Sequence, residues 1–120
     1  MKIILPTSNE IHRYTGPGGY QAAMSKIDIN KNVDVFGFYD IAIPPHSVSK
    51  EHYHNEFIEL FYFLTPMRIK INDEEHNLPT GTVVVLHPGD RHEEYANETA
   101  VHYLAMKFPY VENDKVITNE

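Results

Sequence analysis

The chain has 120 residues, 42% of them hydrophobic, which suits one domain with one core and excludes a disordered chain. Ten basic against seventeen acidic residues give a formal charge of −7 with no basic cluster, a balance that speaks against nucleic acid and anionic membranes as partners. Cysteine is absent, so neither disulfides nor thiolate ligands are available.

The N-terminal MKIILP holds only three consecutive apolar residues, short of a signal-peptide core, and no segment reaches the length of a membrane span. A cytoplasmic protein is the expectation. Met1 to Leu5 reads as a short edge strand stopped by Pro6. Asn9 to Tyr20 contains Gly16-Pro17-Gly18-Gly19, a flexible turn without an apolar period. It lacks the following Lys-Ser/Thr of a phosphate-binding loop. Tyr20 to Ile29 and Val33 to Ile43 read as two strands of a hairpin, joined by Asn30-Lys31-Asn32. Val33, Val35, Tyr39, Ile41 and Ile43 share one parity, which is taken as the core face.

Pro44-Pro45 ends that strand, and His46 to Lys50 is a polar loop. His52-Tyr53-His54 follows, then a short turn at Asn55-Glu56, then the buried strand FIELFYFL. Met67 to Ile71 alternates apolar and basic residues, as a half-buried strand does. Asn72 to Glu75 turns, and His76 to Leu78 returns. Thr82 to Leu86 is continuously apolar, consistent with burial on both faces. His92 to Ala96 and Ala100 to Phe108 are the last strands. The polar tail beyond Pro109 is expected to be mobile or to pack on a neighbour. No stretch has a helical period, and the many short strands point to a sandwich or barrel.

Within this frame four residues share a chemistry. Side chains two apart in a strand point to one face, roughly 6–7 Å apart along the chain, so His52 and His54 present two imidazoles together. Glu59 is the one charge inside an apolar strand, and such a carboxylate needs a cation or strong donors. His92 follows a Pro-Gly turn at the start of the next strand. Taken singly, Glu59 fits an ion pair with Arg68 or Lys70, and His92 fits a solvated loop. Taken together, three imidazoles and a carboxylate suit a first-row transition metal better than calcium or magnesium.

HYHNEFIE and GTVVVLHPGDRH together resemble the two motifs of the cupin superfamily. The first of these is HxH, three or four residues, then Glu. The second runs from a Gly through a strand and a Pro-Gly turn to a His. The resemblance covers about Ile43 to Phe108. It implies a single all-β cupin domain over residues 1–120, a double-stranded β-helix or jelly-roll barrel. Its N-terminal strands and C-terminal tail would flank the barrel. It also implies that His52, His54, Glu59 and His92 hold one divalent transition metal, whether Fe, Mn, Ni, Zn, Cu or Co. Two turn positions depart from the pattern: His46 and Pro66 stand where glycines are usual.

Four such ligands leave two positions of an octahedral ion open for water, dioxygen or a bidentate substrate. By parity Glu59 shares its face with Phe57, Phe61 and Phe63, so the pocket floor should be aromatic, with Phe61 and Tyr39 on the wall. Lys107 suggests that the odd positions of the last strand face outward. His102, Leu104 and Met106 would then face inward, and His102 is the candidate group behind the ligands or for acid–base work. A core histidine bonded to backbone is the plain alternative. The expected function is a metal-dependent enzyme of dioxygenase type acting on a small oxygen-rich molecule. The alternatives are a metal-dependent isomerase or lyase on a sugar-like substrate, and a small-ligand-binding protein without turnover. The aromatic residues Tyr20, Phe36, Phe38, Tyr53 and Tyr62 suggest a homodimer face.

Overall fold

The computed structural model describes residues 1–118. Every regular element among them is a strand. They are β1 (Lys2–Ile4), β2 (His12–Thr15), β3 (Gln21–Met24), β4 (Gly37–Ile43), β5 (Ser47–Tyr53), β6 (Ile58–Phe63), β7 (Met67–Ile71), β8 (Glu74–Leu78), β9 (Val83–Leu86), β10 (His92–Ala96), β11 (Val101–Phe108) and β12 (Val116–Ile117). Among the described residues no helix is long and apolar enough to cross a membrane.

The strands form two five-stranded sheets, β1-β9-β6-β11-β4 and β12-β5-β10-β7-β8, and a separate β2-β3 hairpin. Successive strands from β4 onward cross mostly from one large sheet to the other, and all pairs are antiparallel. This is the winding of a jelly roll. Phe61, Phe63, Val84, Leu86, Tyr103 and Ala105 of the first sheet meet Met67, Ile69, Ile71, Leu78 and Ala96 of the second in one core. Phe61 and Tyr103 meet edge to face at 5.0 Å. The expected alternation of β7 is seen in full: Met67, Ile69 and Ile71 are buried, while Arg68 and Lys70 are half-buried.

The N-terminal third departs from expectation. The hairpin joins β2 to β3 across Gly16–Gly19, and not β3 to β4. Gly18 and Gly19 adopt positive φ there, so the glycines close a real hairpin where a flexible turn was expected. The Asn30 amide bonds to the Asp28 carboxylate, and strand pairing resumes only at Gly37. Val35 consequently lies outside the core, 63% exposed. Local turn chemistry suggested a hairpin here, but β4 pairs with β11 instead, over seven positions from Val101↔Ile43 to Lys107↔Gly37. Of the aromatics expected on a dimer face, Tyr20, Phe36, Phe38 and Tyr62 are exposed, and Tyr53 is half-buried.

His46 sits in the turn between β4 and β5 at φ +59°, a conformation that costs a residue with a Cβ about 1–2 kcal/mol over glycine. Its amide bonds to Asn97 O at 2.7 Å, and its side chain is exposed. After subtracting glycine's extra chain entropy, His46→Gly should stabilise the fold by about 1 kcal/mol. Thermal unfolding would then rise by about 4 °C. An unchanged or lower midpoint would show that the histidine side chain makes a compensating contact.

Candidate metal centre

Two strands and one turn bring the histidines together. His52 on β5 lies directly across from His92 on β10. Between His92 and Glu94 the register slips, so that Glu94 opposes Ser49. This bulge gives β5 an extra residue and turns Ser49, in place of Lys50, toward the interior. His54 ends the approach to the Asn55-Glu56 bend. The Pro88-Gly89 turn is tied to it by the Gly89 amide, which donates to His54 O at 2.8 Å with Gly89 at φ +88°. The Asp90 carboxylate accepts the His87 amide and closes the same turn.

One ring nitrogen from each of His52, His54 and His92 lies within 4.8 Å of the others. All three residues are buried. Each Nδ1 meets a backbone carbonyl: His52 with Lys50 O at 2.7 Å, His54 with Asp114 O at 2.5 Å and His92 with Asp90 O at 3.1 Å. An N–H at Nδ1 donates in each case, which leaves the Nε2 lone pair free. Glu59 Oε1 stands 3.1 Å from His54 Nε2 and 3.3 Å from His92 Nε2. His92 Nε2 is fully buried and has no hydrogen-bonding partner. Convergent nitrogens of fixed tautomer, an adjoining carboxylate and an orphaned buried atom together fit a bound metal ion.

Burial and mutual proximity shift the charges of the cluster. Burial alone would push the Glu59 carboxyl up, but the adjoining His54 and His92 rings outweigh it and hold it at about 2. Burial and the neighbouring His92 lower His52 to about 3, so it stays neutral. Burial opposes a proton on His92, yet the adjoining Glu59 and Glu94 carboxylates raise its pKa.

A cavity of about 190 Å³ opens beside this cluster. Phe61 and Tyr39 both line it, together with His52, Glu59, Tyr103 and Lys107. Phe57, Phe61 and Phe63 are buried around Glu59, in keeping with an aromatic floor. His102 does not reach the cavity. Its side chain is 44% exposed and bonds to Asp40 on the outer face. The parity of β11 is the reverse of the expected one: Val101, Tyr103 and Ala105 are buried, and His102, Leu104 and Met106 are not. Lys107 shares the buried face but lies at the strand's end, where its ammonium sits 4.6 Å from the Tyr39 ring and 5.0 Å from Phe57. A lysine whose stem lies inside and whose head reaches an opening gives a misleading parity signal.

Two contributors have only weak sequence signals. Glu94 is 1% exposed and lines the cavity, with Oε2 unpartnered and Oε1 3.8 Å from His92 Nε2. Burial, reinforced by Glu59, raises its pKa. The signal was its place two residues after His92, on the same face. The second contributor is the C-terminal segment, which packs on its own chain. β12 pairs with β5, and Asp114 accepts the Asn55 and Glu56 amides at 2.9 and 2.8 Å while its carbonyl holds His54. Nothing local marks Asp114 as a partner of residues some sixty positions away.

Asp114→Ala should cost about 2 kcal/mol, since two part-buried amides lose charge-assisted bonds. Loosening the loop that carries His54 should also weaken metal binding about 10- to 100-fold. Chemical denaturation and metal titration of the variant check both. Wild-type metal affinity in a destabilised variant would show that the clamp serves the fold alone.

No family model matches the sequence, and no curated protein matches it. Solved structures do. The chain is similar to a cupin protein from Bacteroides fragilis, with 17% identity, TM-score 0.58, and 72% of this chain and 80% of that one covered. It is also similar to a sugar phosphate isomerase of the cupin superfamily from Silicibacter pomeroyi, with 15% identity, TM-score 0.62, and 72% and 59% covered. A third is the DMSP lyase from Ruegeria pomeroyi, with 18% identity, TM-score 0.63, and 92% and 52% covered. The matched region thus spans little more than half the length of the latter two. The likeness shows the fold alone: two interleaved antiparallel sheets around a buried histidine cluster, the jelly-roll architecture that these cupin structures share.

Proposed function

We propose that this protein is a metal-dependent enzyme in which His52, His54, Glu59 and His92 hold one divalent transition ion. It acts on a small oxygen-rich molecule bound in the adjoining cavity. A bound ion there supplies Lewis-acid or redox chemistry to an oxygen-bearing ligand. The surrounding chain contributes the rest. Phe61 and Phe57 exclude water from the inner wall, and Tyr103 keeps its hydroxyl proton because burial and the Glu94 and Glu59 carboxylates push its pKa up. Glu94 stands inside the cavity with an unpartnered oxygen, placed to accept or deliver a proton at a bound ligand.

That unpartnered Glu94 carries the choice of reaction class. Isomerisation and elimination both need an inward acid–base group, and His102 is not one. Glu94 fills that role and favours a metal-dependent isomerase or lyase. The dioxygenase reading stands second. It is supported by the ligand chemistry, which suits a redox ion equally well. Elemental analysis of protein purified without added metal, with oxygen uptake followed on small hydroxy and oxo compounds, separates them. Turnover with zinc or manganese and no oxygen consumption is the expected result. Stoichiometric iron with substrate-dependent oxygen uptake would establish the dioxygenase reading. Failure to bind any divalent transition ion would sink both.

A further inference from the structure

The open side of the cavity is basic, in a chain whose net charge is −7. Lys107 from β11 and Lys115 from the C-terminal segment both line it. Among the described residues neither lies within ion-pair distance of a carboxylate, whereas Lys2, Arg68 and Arg91 each have an acidic partner. The Lys107 ammonium is held between the faces of Tyr39 and Phe57, contacts that position the charge without neutralising it. Lys115 is near enough to the interior for its charge to bear on both His52 and Glu94. Its place is fixed from both sides, by Asp114 clamped onto the Asn55-Glu56 loop and by Val116 paired with Tyr53.

The geometry points to an anion-binding wall: Lys107 and Lys115 receive the carboxylate of a short-chain organic acid whose oxygen-bearing end faces the histidine cluster. This deepens the function proposed above and rests on the same cavity being the site. Size is compatible with such an acid, since a cavity of about 190 Å³ can take up a short carbon chain with its carboxylate at the open side. The remaining lining agrees, because Ile41, Ile43 and Phe61 offer an apolar bed for a short carbon chain. Two lysines act as point charges and do not impose the planar fork of arginine, so acids of differing length can be accepted.

The test uses calorimetric titration of the full chain, zinc-free and zinc-loaded, with malonate and pyruvate, their neutral amides and inorganic phosphate. Both acids should bind at least ten-fold more tightly than their amides and than phosphate. Lys107→Met and Lys115→Met, which keep the stem and remove the charge, should each weaken the acids about ten-fold and leave the amides and the zinc content unchanged. A merely structural lysine would shift acid and amide alike. Equal binding of acid and amide, no binding of either acid, undiminished acid binding in both variants, or tighter binding of phosphate would each overturn the proposal. The zinc-free arm separates the two readings. A chain that takes up no zinc but still prefers acids loses the metal enzyme and keeps the lysine wall, and one that takes up zinc without that preference does the reverse.

Discussion

His54→Ala is expected to lose metal at stoichiometric loading, and His52→Ala, Glu59→Ala and His92→Ala to behave alike. Structural metal sites with four protein ligands are worth about 10–16 kcal/mol, so each ligand carries about 3 kcal/mol, more than a hundred-fold in affinity. The loss at His54 should be at least this large. Its ring is oriented by Asp114 O, and its Nε2 is one of the two that meet Glu59. His76→Ala is the control. That residue lies on β8 opposite Ile69, at the far edge of the second sheet, and the variant should keep its full metal content. Metal-to-protein ratios after dialysis read the result. Equal retention in His54→Ala and His76→Ala would remove the ligand assignment.

Glu94→Gln is expected to leave metal content near wild type and to lower turnover about 10²- to 10⁴-fold, the range of a lost acid–base group. The substitution keeps the volume of a side chain that is 1% exposed, so packing against Tyr103 and the β5 bulge should survive. The readout is kcat for the substrate that the metal and oxygen screen identifies, with metal content measured in the same sample. A fall in kcat at constant metal content and little change in KM supports proton transfer. Full activity in Glu94→Gln would leave the cavity without its proposed acid–base group and return the dioxygenase reading to first place.

The clustering of the histidines with Glu59 was legible because their residues obey local rules. HYH places two imidazoles on one face through the period of a strand, and a lone Glu in FIELFYFL has to be answered by a cation or donors. Strands β6, β7, β9 and β11 were legible for a related reason, since their apolar residues form runs or alternate and Pro, Gly and Asn mark the ends; β8, polar over Glu74–Asn77, starts two residues before the return expected at His76. The same local rules misread the N-terminal third. Asn30-Lys31-Asn32 is a good turn, but pairing is a contest between partners, and β11 offers β4 a seven-position ladder. His102 was misassigned because one charged residue was used to set the face of a strand that ends at an opening.

By itself the sequence determined that the chain is all-β, that its charge is acidic, and that three histidines and a glutamate recur at strand-compatible spacing. Each of these depends on composition or on neighbours a few residues apart. Only the tertiary structure decided that Glu94 stands in the cavity and His102 outside it, that Asp114 clamps the His54 loop, and that Lys107 and Lys115 share one wall. Those facts depend on register between strands, on a bulge in β5 and on contacts across some sixty residues of chain. Such contacts are chosen by how much surface the whole fold can bury and how many polar groups it can satisfy, and no local stretch carries that sum.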